Sequence, residues 1–171
     1  MKSSILLNCG ALLLENQLSI AFAESATAGR LAAEFSLLPH ARKFLKGALV
    51  CYDASLKEAL LNVPGGLIKT FTPESMEVSM AMASGLEKLI PADLHLAVTG
   101  LLSPGGTETP EKPIGSQFIH CRLFGKGLFS EKVRFEGSPE EILRQTVVYT
   151  ASTLIGALTH SPMEMRQLSR T

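Results

Sequence analysis

Apolar residues along the chain fall into two patterns, short uninterrupted runs and longer stretches in which they recur every three or four residues. The first pattern is typical of strands and the second of helices. In chain order the two patterns predict a helix at 3–16, a strand at 18–24, helices at 26–37 and 54–61 around a strand at 47–52, and a helix at 73–90. They then predict strands at 92–99, 116–124 and 128–135, and a helix at 139–160.

Capping and turn residues mark several of these boundaries. The sequence Pro64-Gly65-Gly66 is expected to close the helix before it. Thr72 is the expected cap of the next helix, and Ser138 with Glu141 three residues later forms a capping-box pattern for the last one. The run 47–52 carries no charge, which predicts a strand buried on both faces.

The order of elements predicts the fold. Strands separated by helices pair in parallel through right-handed crossovers, and a hairpin at 125–127 adds an antiparallel strand. We therefore expect a three-layer α/β/α sandwich with a mixed, mostly parallel five-stranded sheet. The 171 residues suit a single domain spanning 1–171. Its core is expected at about 3–160, with a loosely held tail from Ser161.

Composition narrows the classes of function. Charged residues are 19% and apolar residues 46%, with a formal net charge of zero, which argues against disorder and nucleic-acid binding. No apolar run reaches the length of a membrane span, and Asn8 and Glu15 favour a core helix over a signal peptide at the N-terminus. Cys9, Cys51 and Cys121 lie in apolar contexts without zinc-site spacing, which favours reduced thiols in a cytoplasmic protein.

Polar residues follow the three strands predicted to be parallel. They are Glu24 and Ser25 after the first strand, Tyr52 and Lys57 after the second, and Thr99 with the Gly/Pro-rich loop 100–115 after the third. In such sheets, ligands bind beyond the carboxyl ends of the strands. A structureless loop of this length is often functional. A small-molecule site is therefore expected at this edge.

Ser25 has two interpretations. Ser25 or Thr27 caps the helix that follows, or Ser25 is also a nucleophile with a nearby base. The four histidines are His40 in a turn, His95 and His120 inside strands, and His160 at a helix end. These positions fit a Ser-His-Asp triad poorly. Lys57 is the better candidate, because a lysine removed from water has a lowered pKa and can deprotonate a hydroxyl. The alternative is a solvated helix lysine.

Three motifs carry a family resemblance. They are AESATAG at 23–29, LVCYDASLK at 49–57, and VTGLLSPGG at 98–106 followed by EKPIG at 111–115. In this order and spacing they resemble landmarks of the carboxy-terminal domain of CinA and its stand-alone relatives, the nicotinamide mononucleotide deamidases. The resemblance covers about 6–158. Each motif alone is weak, but the three in sequence are specific.

The resemblance implies hydrolysis of the carboxamide of nicotinamide mononucleotide to nicotinate mononucleotide and ammonia. Ser25 would be the nucleophile, Lys57 its base, and Tyr52 a hydroxyl that relays a proton or orients the lysine. No metal or organic cofactor is implied. The implied partner is a small pyridine nucleotide, with no nucleic acid and no membrane, and the protein is expected to be a homo-oligomer.

Further residues are expected to bind the substrate. Backbone N–H groups at the start of the second helix would hold the oxyanion. The loop 100–106 and Lys112 would hold the 5′-phosphate. The full set of substrate-binding candidates is Glu24, Thr27, Gly29, Thr99, Gly100, Ser103, Gly105, Gly106 and Lys112.

Several positions depart from the motifs that carry the resemblance. They are Ala26 for cysteine, Ala28 for glycine, Asp53 for serine, Ala54 for asparagine, Ser55 for glutamate, and Leu102-Ser103 for an alanine-glycine pair. Three hypotheses therefore stay open. The first is an active amidohydrolase on nicotinamide mononucleotide or a close analogue. The second is a catalytically silent nucleotide-binding or regulatory module, and the third is a structural oligomer building block with a methionine-rich helix at 73–90.

Overall fold

Five strands and six α-helices form in the computed structural model, which describes residues 4–160. In chain order they are α1 (Ser4–Glu15), β1 (Ile20–Glu24), α2 (Arg30–Ser36), a 3₁₀-helix (Ala41–Lys43), β2 (Leu45–Val50), α3 (Ala54–Leu61), α4 (Gly65–Phe71), α5 (Met76–Leu89), β3 (Leu94–Gly100), β4 (Ser116–Leu123), β5 (Lys126–Arg134) and α6 (Pro139–His160). The sequence pattern predicted all of these except α4 and the 3₁₀-helix. The predicted tail from Ser161 lies outside the described residues.

The strands form one mixed sheet in the order β2-β1-β3-β4-β5. β1 pairs in parallel with β2 and β3, whereas β4 pairs antiparallel with β3 and β5. The register places Glu24 beside Val50 on one side and Val98 on the other. The carboxyl ends of the three parallel strands therefore share one edge of the sheet, as predicted.

Helices cover both faces of the sheet. α1, α2 and α6 pack on the face that presents large side chains such as Phe22 and Leu96. α3, α4 and α5 pack on the face that presents Ala21, Ala23 and Ala97. These small residues leave room for α5 to approach the sheet closely. The predicted three-layer α/β/α sandwich is confirmed.

The second helix begins later than predicted. Residues 25–29 form a turn, in which Ala28 and Gly29 have φ angles of 48° and 93°. Gly29 is the N-cap of α2 and provides no side-chain hydrogen bond. The prediction that Ser25 or Thr27 caps this helix is therefore wrong.

Other boundaries also differ from the prediction. α3 ends at Asn62, which has a φ of 54°, and Pro64 is the N-cap of α4, so the Pro-Gly-Gly sequence starts a helix instead of closing one. The N-cap of α5 is Ser75, whose Oγ accepts the Val78 N–H at 3.3 Å, and not Thr72. β2 is an edge strand with partly exposed residues, so it is not buried on both faces.

Two smaller predictions are confirmed. The capping box of α6 forms, since the Ser138 N–H donates to Glu141 Oε2 at 2.8 Å and the Glu141 N–H donates to Ser138 Oγ at 3.4 Å. The three cysteines are buried and unpaired, and they are Cys9, Cys51 and Cys121. Within residues 4–160, no helix combines the length and apolar character needed to span a bilayer.

Candidate active site

The end of β1 and one face of α3 bring a serine and a lysine together. The Ser25 N–H donates to the Val98 carbonyl at 3.0 Å, which continues the pairing of β1 with β3 and fixes the serine backbone. Asp53 caps α3 by accepting the Ser55 N–H at 2.8 Å. One turn into this helix, Lys57 Nζ lies 3.1 Å from Ser25 Oγ. The two residues predicted as nucleophile and base are therefore in hydrogen-bond contact.

The lysine is removed from water. Lys57 is 1% exposed and Ser25 is 5% exposed. Burial lowers the pKa of the Lys57 ammonium, because desolvation disfavours its charged form, and the nearby groups that oppose this shift are Glu74, Cys51 and Asp53. Ser25 Oγ is the only hydrogen-bond partner of Lys57 Nζ among the described residues. These surroundings favour a neutral amine, which can accept a hydroxyl proton.

A cavity of about 240 Å³ opens beside the serine. Its lining consists of Ser25, Ala26, Tyr52, Glu74 and the loop 100–106. Tyr52 is 68% exposed. Among residues 4–160, no hydrogen bond joins its hydroxyl to the serine or the lysine. The tyrosine therefore forms part of the cavity wall without contacting the serine–lysine pair through its hydroxyl.

Glu24 caps α2 instead of facing the cavity. It is fully buried, and its carboxylate accepts the N–H groups of Gly29 and Leu31 at 3.0 Å and of Ala32 at 2.8 Å. These N–H groups belong to the start of the helix, where the oxyanion site was predicted. This contact corrects two predictions. Glu24 caps α2 instead of binding the substrate, and the N–H groups at the start of α2 are not available to an oxyanion.

Free N–H groups lie one turn earlier. The backbone N–H groups of Ala26 and Thr27 have no acceptor in the part of the chain that the structure describes, whereas the Ala28 N–H donates to the Ser25 carbonyl at 3.1 Å. Ala26 and Thr27 directly follow the serine. Donors in this position are suited to stabilise an oxyanion that forms on a substrate attacked by Ser25.

Lys112 fastens the Gly/Pro-rich loop to the segment before α5. Its Nζ donates to Glu74 O at 3.1 Å, to Thr107 Oγ1 at 2.7 Å and also to Thr72 Oγ1. The Thr107 hydroxyl in turn donates to Glu74 Oε2 at 2.6 Å. The three ammonium protons thus have three acceptors within the protein. The prediction that Lys112 binds the phosphate is replaced by a role in holding the loop.

Two other predicted residues occupy the end of β3. Thr99 is fully buried, shares a 3.0 Å hydrogen bond with Ser79 Oγ and donates to the Ser75 carbonyl at 3.3 Å, so it ties β3 to α5. Gly100 lines the cavity. A Cβ at Gly100 would lie 2.4–2.6 Å from the carboxamide atoms of Gln117. Glycine at this position therefore makes room for a buried glutamine behind the cavity wall.

The remaining candidates divide into two groups. Ser103, Gly105 and Gly106 line the cavity next to the serine. Thr27 and Gly29 are not part of its lining. Thr27 is buried, and Gly29 takes the left-handed conformation that begins α2. The structure thus brings the loop residues to Ser25 and assigns Gly29 to the turn.

Sequence reasoning missed Glu74 as a site residue. The stretch Thr72-Pro73-Glu74 was interpreted as the beginning of a helix, which gives Glu74 only a favourable contact with the helix dipole. The helix begins at Met76, so Glu74 lies before the cap and its side chain lines the cavity. Ser75, a second possible cap in the same stretch, was the available signal. Within residues 4–160, no group of three or more His, Cys, Asp or Glu side chains is placed to bind a metal ion.

Fold and site together define a three-layer α/β/α protein with a buried serine–lysine pair at the carboxyl edge of its parallel strands. Comparison with protein families agrees with this class. The sequence model of the CinA C-terminal domain family matches residues 2–158. The chain belongs to the CinA C-terminal domain family.

Curated relatives are similar over most of this chain. A CinA-like protein of Dictyoglomus thermophilum is 36% identical over 137 residues, which is 80% of this chain and 33% of the relative. A CinA-like protein of Mycolicibacterium vanbaalenii is 36% identical over 141 residues, again 33% of its length. The chain therefore spans about a third of the length of these relatives.

Solved structures share the fold. A CinA superfamily protein from Klebsiella pneumoniae superposes with a TM-score of 0.86 at 24% identity, covering 91% of this chain and 96% of that one. A competence/damage inducible protein from Agrobacterium tumefaciens gives a TM-score of 0.83 at 23% identity, covering 92% of this chain and 98% of that one. At this level of identity the similarity establishes the fold alone.

Proposed function

We propose that this chain is an amidohydrolase that converts the carboxamide of nicotinamide mononucleotide, or of a close analogue, to the carboxylate and ammonia. The observation that supports this most directly is the 3.1 Å contact between Lys57 Nζ and Ser25 Oγ in a buried position beside a cavity. A neutral lysine at this distance can activate a hydroxyl that is otherwise a weak nucleophile.

The first half of the reaction forms an acyl-enzyme. Neutral Lys57 accepts the Ser25 proton while Oγ bonds to the carboxamide carbon. The N–H groups of Ala26 and Thr27 donate to the resulting oxyanion. When the carbon–nitrogen bond breaks, the Lys57 ammonium gives its proton to the leaving nitrogen, and ammonia departs.

The second half releases the acid. Lys57, neutral again, accepts a proton from a water molecule as the water oxygen attacks the acyl carbon. The bond from carbon to Oγ breaks, and Ser25 recovers a proton from the lysine. Each turnover consumes one water and leaves both residues in their starting states. No step requires a metal or an organic cofactor.

The phosphate needs donors other than Lys112. The N–H groups of Leu102 and Ser103 belong to the cavity-lining loop and have no acceptor within residues 4–160, whereas those of Gly105 and Gly106 donate to the Glu108 carboxylate. Backbone N–H groups in such glycine-rich turns bind anions. We propose that they hold the 5′-phosphate, while the loop itself is held in place by Lys112.

Ammonia release from nicotinamide mononucleotide tests the proposal. Wild type should release ammonia. Ser25→Ala should lose about 10³-fold or more in kcat, and Lys57→Ala about 10²–10⁴-fold. Ser36→Ala and Lys69→Ala change the same residue types at exposed positions and should retain activity. Undiminished release by folded Ser25→Ala would exclude the proposed nucleophile.

The alternative is a nucleotide-binding or regulatory module without catalysis. Two observations favour it: Leu102 adds a bulky side chain to the cavity wall, and the Tyr52 hydroxyl makes no contact with the catalytic pair. Binding of nicotinamide mononucleotide by pure wild type without ammonia release would select this alternative. A homo-oligomer and a cytoplasmic location are part of the same proposal, by resemblance to the family. The structural building-block hypothesis has less support, since Met82 of the methionine-rich helix is buried in the core.

A further inference from the structure

We propose that Glu74 and Tyr52 recognise a positively charged aromatic ring, so that the site selects a pyridinium carboxamide over a neutral aromatic amide. Both residues line the cavity that contains Ser25. The inference rests on the proposed amidohydrolase function and adds a determinant of specificity to it. It concerns the ring of the substrate, whereas the preceding section concerns the bond that is cleaved.

Glu74 is held by two hydrogen bonds, one to its carboxylate and one to its backbone carbonyl. Thr107 Oγ1 donates to its Oε2 at 2.6 Å, and Lys112 Nζ donates to its backbone carbonyl at 3.1 Å. Its Oε1 has no hydrogen-bond partner in the described part of the chain. One carboxylate oxygen is therefore held by the loop, and the other has no partner within the described residues, in a side chain that belongs to a cavity-lining residue.

This carboxylate has no cation in direct contact. No ion pair within 4.0 Å involves Glu74 among residues 4–160. The Lys112 ammonium is bound to hydroxyl and carbonyl oxygens, and Lys57 must be neutral to act as a base. The Lys112 ammonium acts on the carboxylate only at longer range, through the shared Thr107 hydroxyl. A cationic ligand in the cavity would add a direct charge partner, which lowers the cost of a half-buried carboxylate.

The aromatic ring of Tyr52 also favours a cationic ligand. Its side chain is 68% exposed although it lines the cavity, so its surface is available to a ligand. The face of an aromatic ring carries negative potential and attracts cations. An anion and an aromatic face in one small cavity are complementary to a flat, positively charged ring. An N-ribosylated nicotinamide has such a ring, with its carboxamide on the same plane.

A pair of ligands that differ only in ring charge tests the inference. Nicotinamide mononucleotide has a pyridinium ring, and benzamide riboside 5′-monophosphate is its neutral, carbon-linked isostere. Dissociation constants are measured by calorimetry and kcat/KM by ammonia release. The variants are Glu74→Gln, which keeps an acceptor for Thr107 but removes the charge, and Glu77→Gln, an exposed control three residues along the chain.

Glu74→Gln should weaken binding of the cationic ligand about 10- to 100-fold, as expected for loss of a close charge partner in a partly desolvated site. Binding of the neutral isostere should change less than about twofold, and Glu77→Gln should change neither. Tyr52→Phe should keep the preference for the cation, whereas Tyr52→Leu should reduce it several-fold. Thr107→Val, which releases the loop without removing the charge, should weaken both ligands equally.

Equal losses for both ligands in Glu74→Gln would overturn the inference, because they would indicate a purely structural role in holding the loop. Failure of wild type to release ammonia would overturn the proposed hydrolysis separately. The two dissociation constants would still report whether the Glu74 charge and the ring charge are coupled. Binding of neither ligand by folded wild type would contradict both proposals.

Discussion

Replacing Lys57 by methionine is expected to stabilise the fold and to abolish activity. Methionine is similar in length and keeps the apolar contacts of the lysine stem, while Lys57 is 1% exposed and its Nζ has one hydrogen bond among the described residues. Loss of that bond costs about 0.5–1.5 kcal/mol. Relief of the cost of a buried lysine, which is either a desolvated ammonium or an amine deprotonated below its ordinary pKa, is worth several kcal/mol. The expected net gain is about 1–3 kcal/mol in the free energy of unfolding at neutral pH.

The gain should depend on pH in a defined direction. Burial lowers the pKa of Lys57 in the folded state below its ordinary value of 10.5. Between the folded and the unfolded pKa the unfolded chain binds more protons, so wild-type stability rises with pH in that window. Methionine has no such dependence. The advantage of Lys57→Met should be largest below the folded pKa of the lysine and should shrink as pH rises toward 10.5.

Urea unfolding of wild type and Lys57→Met at a series of pH values, monitored by circular dichroism, measures this difference. Lys69→Met changes an exposed lysine and controls for the general effect of removing a charge. The reasoning is refuted if Lys57→Met is destabilised by more than about 1 kcal/mol. It is also refuted if the stability difference does not vary with pH, since Lys57 would then titrate alike in both states.

Three further predictions concern the framework of the site. Glu24→Gln should lower the free energy of unfolding by about 2–4 kcal/mol, because an amide cannot accept all three N–H groups of the α2 terminus. Chemical denaturation measures this change, with exposed Glu140→Gln as the control. An effect below about 1 kcal/mol would contradict the prediction. Gly85→Ala should lower the free energy of unfolding by at least about 1–3 kcal/mol, since its Cβ would lie 2.0 Å from the Leu61 carbonyl oxygen. The midpoint of thermal unfolding should therefore fall. An unchanged midpoint would disprove this close approach. Lys112→Met should change the free energy of unfolding by less than about 1 kcal/mol. It should raise KM and increase the rate of limited proteolysis in the loop 103–108. An unchanged cleavage rate would show that the lysine does not hold the loop.

Topology made it predictable that Ser25 and Lys57 lie at one edge of the sheet, although the direction of the lysine side chain stayed open. Once β1, β2 and β3 are parallel, their carboxyl ends share an edge. Ser25 follows one strand directly, and Lys57 lies one turn into the helix after the next. The spacing of the strands along the chain therefore carries the information, and no knowledge of side-chain contacts is required.

The turn at 25–29 was not predictable in the same way. The stretch from Ala26 to Phe35 contains four alanines, which favour a helix, and only Gly29 in it clearly opposes one. Two local features accompany the late start of the helix: Gly29 has a positive φ, and Glu24 binds the N–H groups of Gly29, Leu31 and Ala32. Helix propensity does not contain this side-chain contact. The roles of Lys112 and Glu74 were hidden for a different reason, because the contacts of Glu74 with Thr107 and Lys112 join residues more than 30 positions apart.

The Glu24 contact has a consequence for how this family can diverge. The backbone that carries Ser25 is held on one side by β3 and on the other, through Glu24, by the start of α2. Side chains at 26–28 can therefore be exchanged while the path of the backbone is kept. A lineage can thus alter the side chain that lines the cavity next to the serine, as Ala26 illustrates, without having to evolve the position of the serine again.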